Sequence, residues 1–116
     1  FPTRRSSDLR YLSDDVSLRN MKTGADRFLG ELPEVAESFK NFREAVRSEG
    51  KLTEREKLLI SVACSVAVRC DACTRRHAEE ALEAGITEGE LAEAAAVAAL
   101  IRAGSAMNTA SAIFRD

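Results

Sequence analysis

From Pro33 onward, apolar residues recur along the chain at helical intervals. Val35, Phe39, Phe42 and Val46 follow one another at spacings of 4, 3 and 4, one apolar stripe that ends before Gly50. Pro33 sits where a helix accepts proline, at its first position. Thr53 with Glu56, and Thr87 with Glu90, form capping boxes, each predicting a new helix, and Gly85 marks the stop between them. Gly104 is expected to break the last helix before "SAMNTASAIF". Upstream, "DDVSLRNM" is a short helix candidate, followed by the Gly-interrupted "KTGADRFLGEL". No run alternates with period two, so the fold class is all-α.

Two helical segments carry more than periodicity. From Leu58 to Val68, "LLISVACSVAV" has Ser61 and Ser65 as its only polar residues. A helix apolar nearly all round must be covered nearly all round. A domain of this size has few such positions. The segment "AEAAAVAAL" is rich in small residues that let helices approach closely. Both point to a homo-oligomer. The alternative is one well-covered central helix in a monomer.

Composition sets the outer bounds. At 116 residues the chain has the length of one domain. Its first nine residues, "FPTRRSSDL", read as a translated sequencing adapter, which leaves residues 10–116 as a single helical domain. Without Arg4, Arg5 and Asp8 the net charge moves from −2 to −3, so nothing below depends on them. The other reading of this segment is a loose basic terminus. At 45% hydrophobic and 31% charged residues the protein is expected to be globular and soluble. No stretch approaches the run of apolar residues a transmembrane helix needs, so no membrane is expected. A sequence pI near 5.5 and 5% aromatic residues without Trp argue against nucleic acid. Three cysteines, an odd number in helical sequence with no recognisable signal peptide, point to a reducing, cytoplasmic compartment.

Reactive side chains gather in "VRCDACTRRHAEEA", which holds two of the three cysteines and the single histidine. With Cys70 or Asp71 as N-cap of a helix, Cys70 and Cys73 are three apart, and Cys73 and His77 four apart. All three can then share one face. A thiol at a helix N-terminus feels the positive end of the dipole, and an imidazole one turn on can take the Cys73 proton directly or through water. A second cysteine three residues away can close a disulfide on an oxidised first one. Arg69, Arg75 and Arg76 add positive charge. Three readings stay open: a redox dithiol, a metal site short of the usual four zinc ligands, and an inert cluster. Cys64, in the apolar run, reads as core.

The frame around this cluster, "LTEREKLLISVACSVAVRCDACTRRHAEEALEAGITEGELAEA", resembles the carboxymuconolactone decarboxylase superfamily in its alkylhydroperoxidase D-like branch. The likeness covers roughly residues 33–110. It implies a helical fold assembled as trimers or hexamers, and thiol-dependent peroxidase or disulfide-reductase chemistry without a bound cofactor. By this resemblance Cys73 is the peroxidatic cysteine, Cys70 resolves it, and His77 belongs to a proton relay. The implied partners are a small peroxide or disulfide substrate, a lipoyl- or thioredoxin-type dithiol reductant, and a peroxiredoxin. Two positions depart from the pattern. Many members carry a relay glutamate where this chain has Leu58, and an aromatic residue or histidine where it has Ala72. The lactone decarboxylase activity that named the superfamily, which would not need the dithiol, is the second enzymatic reading.

Overall fold

The computed structural model describes residues 23–114. Every regular element among them is helical and none is a strand, so the chain is all-α. The expectations about residues 1–9 and about "DDVSLRNM" lie outside the described residues.

The helices begin where capping chemistry places them. Thr23 opens α1 (Gly24–Gly30) through a capping box with Asp26, which satisfies two otherwise orphaned N–H groups. Helix α2 (Pro33–Arg47) starts on Pro33, as predicted. The Thr53–Glu56 box opens α3 (Glu54–Ala67), and the Thr87–Glu90 box opens α5 (Glu88–Ala110). Between them lies α4 (Asp71–Glu83), and a single 3-10 turn, Ser111–Phe114, follows α5. Gly104 does not break α5. Its neighbours include strong helix formers such as Ala103 and Ala106, and they offset a glycine penalty of roughly 1 kcal/mol.

The chain forms two compact units, Phe1–Val46 and Arg47–Asp116. In the first, the stripe Val35, Phe39, Phe42 and Val46 is about half exposed or more along its whole length. Arg43 places its guanidinium 5.4 Å from the Phe39 ring centroid.

In the second unit α3 packs against both α4 and α5. The buried apolar residues are Val62, Ala81, Ile86 and Ala98. Burial of Val62 and Ile86 stabilises the unit by about 1.5–3 kcal/mol each. Ser65 is buried beside them, and its hydroxyl donates to the Ser61 carbonyl at 2.7 Å, so no polar atom is stranded. The α3 sequence predicted cover on nearly every side, but within one chain only Val62 and Ser65 are buried on it. Ile60 and Val68 stay open, and Cys64, expected in the core, is exposed. Two helices cannot enclose a third.

The segment Glu88–Phe114, 27 residues, is long and apolar enough to cross a membrane by length and composition alone. This differs from the expectation that no stretch is apolar enough, because the apolar residues are not consecutive. Scattered Gly, Ser, Asn and Thr divide the run, and Arg102 is the one charge between Ala94 and Phe114.

Candidate functional site

The end of α3 turns the chain into the cysteine pair. Arg69 N–H donates to the Val66 carbonyl at 3.1 Å, and Cys70 N–H donates to the Ser65 carbonyl at 3.0 Å. These two bonds define a Schellman stop, which needs a left-handed residue just past the cap. That residue is Arg69, with φ at +63°. A side chain in this conformation costs roughly 1–2 kcal/mol, and it is placed immediately before Cys70. The same motif closes α4, where Gly85 at φ +91° takes the left-handed position without that cost. There Gly85 N–H donates to Leu82 and Ile86 N–H to Ala81, both at 3.0 Å.

Of the two N-cap candidates for α4, the structure uses Cys70. Its Sγ accepts the backbone N–H of Cys73 at 3.2 Å, the bond an N-cap serine oxygen usually takes. Thr74 closes the first turn, with its N–H and its hydroxyl donating to the Cys70 carbonyl at 2.8 and 2.9 Å. Cys70 and Cys73, with Cα atoms 5.2 Å apart, are joined in a disulfide. Both are half-buried. The pair thus sits at the positive end of a helix, with an amide hydrogen already aimed at one sulfur.

His77 lies one turn beyond Cys73, with its side chain 15% exposed. Its ring hydrogen bond runs to a residue the sequence did not single out. Arg47, the last residue of α2 and the first of the second unit, brings Nη2 to 3.2 Å from His77 Nδ1. The same nitrogen of Arg47 pairs with Glu80 Oε2 at 2.8 Å, and that oxygen lies 3.8 Å from His77 Nδ1. A guanidinium can only donate, so the Nδ1 it meets is unprotonated and the neutral ring carries its hydrogen on Nε2. Burial pushes the His77 pKa below the ordinary histidine value. Glu80 pulls it back up, while the charges of Arg76 and Arg47 push it down. The structure therefore holds the ring neutral.

Glu80, at i+3 from His77, was within reach of a helical-face argument. Arg47, thirty residues away, left no local signal. Leu58 is half-buried and offers no carboxylate. Among the described residues, no three His, Cys, Asp or Glu side chains are arranged to hold a metal ion.

The family model described as "Carboxymuconolactone decarboxylase family" matches residues 33–116. A crystal structure of a protein from Methanobacterium thermoautotrophicum is 99% identical and superposes with a TM-score of 0.76, covering 79% of this chain and all of that one. A Paracoccus denitrificans protein named "Uncharacterized protein 4 in cox locus" is 35% identical over 72 residues, 62% of this chain. The match spans 65% of that relative, just under two thirds of its length.

Proposed function

The chain belongs to the carboxymuconolactone decarboxylase family, and on that premise we propose that it is a thiol-dependent peroxidase or disulfide oxidoreductase working through Cys70 and Cys73. The observation that carries this reading is the disulfide joining the N-cap of α4 to a residue whose amide hydrogen the Cys70 sulfur accepts. A helix N-terminus and a donated N–H both favour thiolate, the form of sulfur that attacks peroxides and leaves disulfides.

In the proposed cycle the Cys73 thiolate attacks one oxygen of a small hydroperoxide. The O–O bond breaks, Cys73 becomes a sulfenic acid, and the departing alkoxide takes a proton to leave as an alcohol. The Cys70 thiolate then attacks the Cys73 sulfur, closing the disulfide and releasing hydroxide, which leaves as water. An external dithiol of lipoyl or thioredoxin type supplies two electrons and restores both thiols. When that dithiol attacks Cys73, Cys70 departs as the thiolate its hydrogen bond favours. A peroxiredoxin disulfide is a second substrate suited to the same exchange. The proposed cycle needs no bound cofactor and no nucleic acid, and the odd cysteine count favours a reducing, cytoplasmic compartment.

A thiol titration tests the reading. The reduced protein should show three thiols, since Cys64 is not in the pair. Peroxide should remove two, and dithiothreitol should return them. Three thiols that survive peroxide would refute the activity.

A further inference from the structure

We propose that Nδ1 of His77 is a two-position proton switch, bonded to Arg47 when the ring is neutral and to Glu80 when it is protonated. The proposal deepens the dithiol reading and rests on it for the source of the proton.

The geometry sets two groups of opposite polarity against one atom. Arg47 Nη2 stands 3.2 Å from Nδ1, Glu80 Oε2 stands 3.8 Å from it, and the two are paired with each other at 2.8 Å. Guanidinium only donates and carboxylate only accepts, so no single protonation state of Nδ1 satisfies both. With the disulfide closed, Arg47 holds the lone pair and Nε2 carries the ring hydrogen. A proton released when a cysteine thiol becomes thiolate can bind the ring only at Nδ1. The Arg47 bond then breaks, and Nδ1–H turns to Glu80 across a gap slightly longer than a hydrogen bond. One proton moves and no electron does. Glu80 thereby serves as the carboxylate behind the imidazole, a role that Leu58 cannot fill.

The charges acting on the ring are Glu80 and Arg76 on its own helix and Arg47 from the end of α2. Helix α3, which packs against α4, carries its charged residues in Glu54–Lys57. Three of these four are engaged elsewhere: Arg55 with Glu90, Glu56 with Thr53, and Lys57 with the Ser48 carbonyl.

The chain has one histidine, so a nuclear magnetic resonance titration of the full oxidised protein reads His77 alone. Arg47→Met should raise its midpoint by about one pH unit, because it removes a donor to the neutral form and frees Glu80 for the charged one. Arg47→Lys should recover part of that change. Arg76→Met removes an equal charge that makes no bond to the ring, and should move the midpoint clearly less. Glu80→Gln should lower it. If Arg47→Met moves the midpoint no further than Arg76→Met, or if Glu80→Gln fails to lower it, the switch is refuted from either side. The pH profile of thiol alkylation in the reduced protein tests the underlying reading separately. A profile that follows the His77 midpoint in Arg47→Met supports both. A profile that stays put while the midpoint moves leaves the switch standing and removes His77 from the dithiol chemistry.

Discussion

The sulfur of Cys70 accepts the amide hydrogen of Cys73 at 3.2 Å, so the first cysteine of the pair takes the capping bond of the helix that carries the second. This bond favours thiolate at Cys70, whereas His77 lies one turn from Cys73. On the proposed dithiol reading, the two influences act on different sulfurs and would assign them different tasks.

That division predicts how the single variants behave. Cys70→Ser should accumulate a sulfenic acid on Cys73 that dimedone labels, because the resolving thiol is gone. Cys73→Ser should label far more slowly, because its remaining sulfur has no imidazole one turn on to take up a proton. Its serine keeps the backbone N–H, so the Cys70 thiolate persists and should still react with an alkylating reagent. Mass spectrometry after peroxide and dimedone decides the matter. Label on Cys73→Ser and none on Cys70→Ser would make Cys70 the attacking residue.

The two Schellman stops form a matched pair for a stability test. Arg69 holds φ +63° with a side chain, and Gly85 holds φ +91° without one. Arg69→Gly should relieve the left-handed strain and stabilise the fold by up to about 1 kcal/mol, less what glycine adds to the entropy of the unfolded chain. Gly85→Ala should cost about 1 kcal/mol. A Cβ at Gly85 would meet nothing within 4 Å, so conformation rather than crowding sets that cost. Urea unfolding measures both. A small gain in Arg69→Gly beside a larger loss in Gly85→Ala fits the motif, and an Arg69→Gly destabilised by more than about 1 kcal/mol would mean that the Arg69 side chain has a packing role. A more stable variant with slower dithiol exchange would tie the strain to function.

Much of this was legible in the chain because its signals are local. Thr53 with Glu56, Thr87 with Glu90, Pro33 and Gly85 each act within one turn of backbone, and each marks a boundary the structure uses. The spacing of Cys70, Cys73 and His77 on one helix was visible for the same reason. Arg47 was not visible, because its meeting with His77 depends on tertiary packing across thirty residues. The left-handed Arg69 left no trace either, since nothing about an arginine announces a positive φ. Cys64 was misread as core because an apolar run does not say which of its faces a neighbouring helix reaches, and Cys64 is exposed.

Acid should weaken the start of α5 before it weakens the cysteine helix. Glu90 pairs with Arg55 and accepts from Thr87 N–H, and these partners hold its pKa down to about 2. Hydrogen bonds from Thr53 lower Glu56 in the same way. For a carboxylate with a depressed folded pKa, the contribution to stability is complete above the unfolded value of 4.5 and is lost as pH falls toward 2. Stability should therefore decline across that window. In Glu90→Gln the decline should be shallower, starting from a lower plateau. Thr87→Ala, which removes the N-cap oxygen, should cost about 1 kcal/mol at neutral pH. Thermal melts from pH 2 to 7 would show it, and identical pH slopes for wild type and Glu90→Gln would refute the assignment.

The exposed apolar surface predicts assembly. No large side chain is fully buried among the described residues, and the buried apolar set is Val62, Ala81, Ile86 and Ala98. Meanwhile Val97, Leu100 and Ile101 stand 58–69% exposed at helical spacing on α5. Exposed apolar residues at this spacing are expected to meet a second copy of the chain. The family resemblance points to a trimer or a hexamer, which would cover the α5 face and close over the open side of α3, where Ile60 and Cys64 lie. Light scattering coupled to gel filtration should give three or six times the 12.6 kDa chain mass at micromolar concentration. Leu100→Glu would place a charge in an apolar contact and should shift the population to smaller species with a lower melting temperature, because assembly and stability are linked by mass action. In the assembled protein Cys64 should react slowly with thiol reagents, and it should become fast in Leu100→Glu if the two sites share an interface. A monodisperse wild type at the mass of a single chain would refute the assembly. A Cys64 that reacts at the same rate in both proteins would place α3 outside the Leu100 interface.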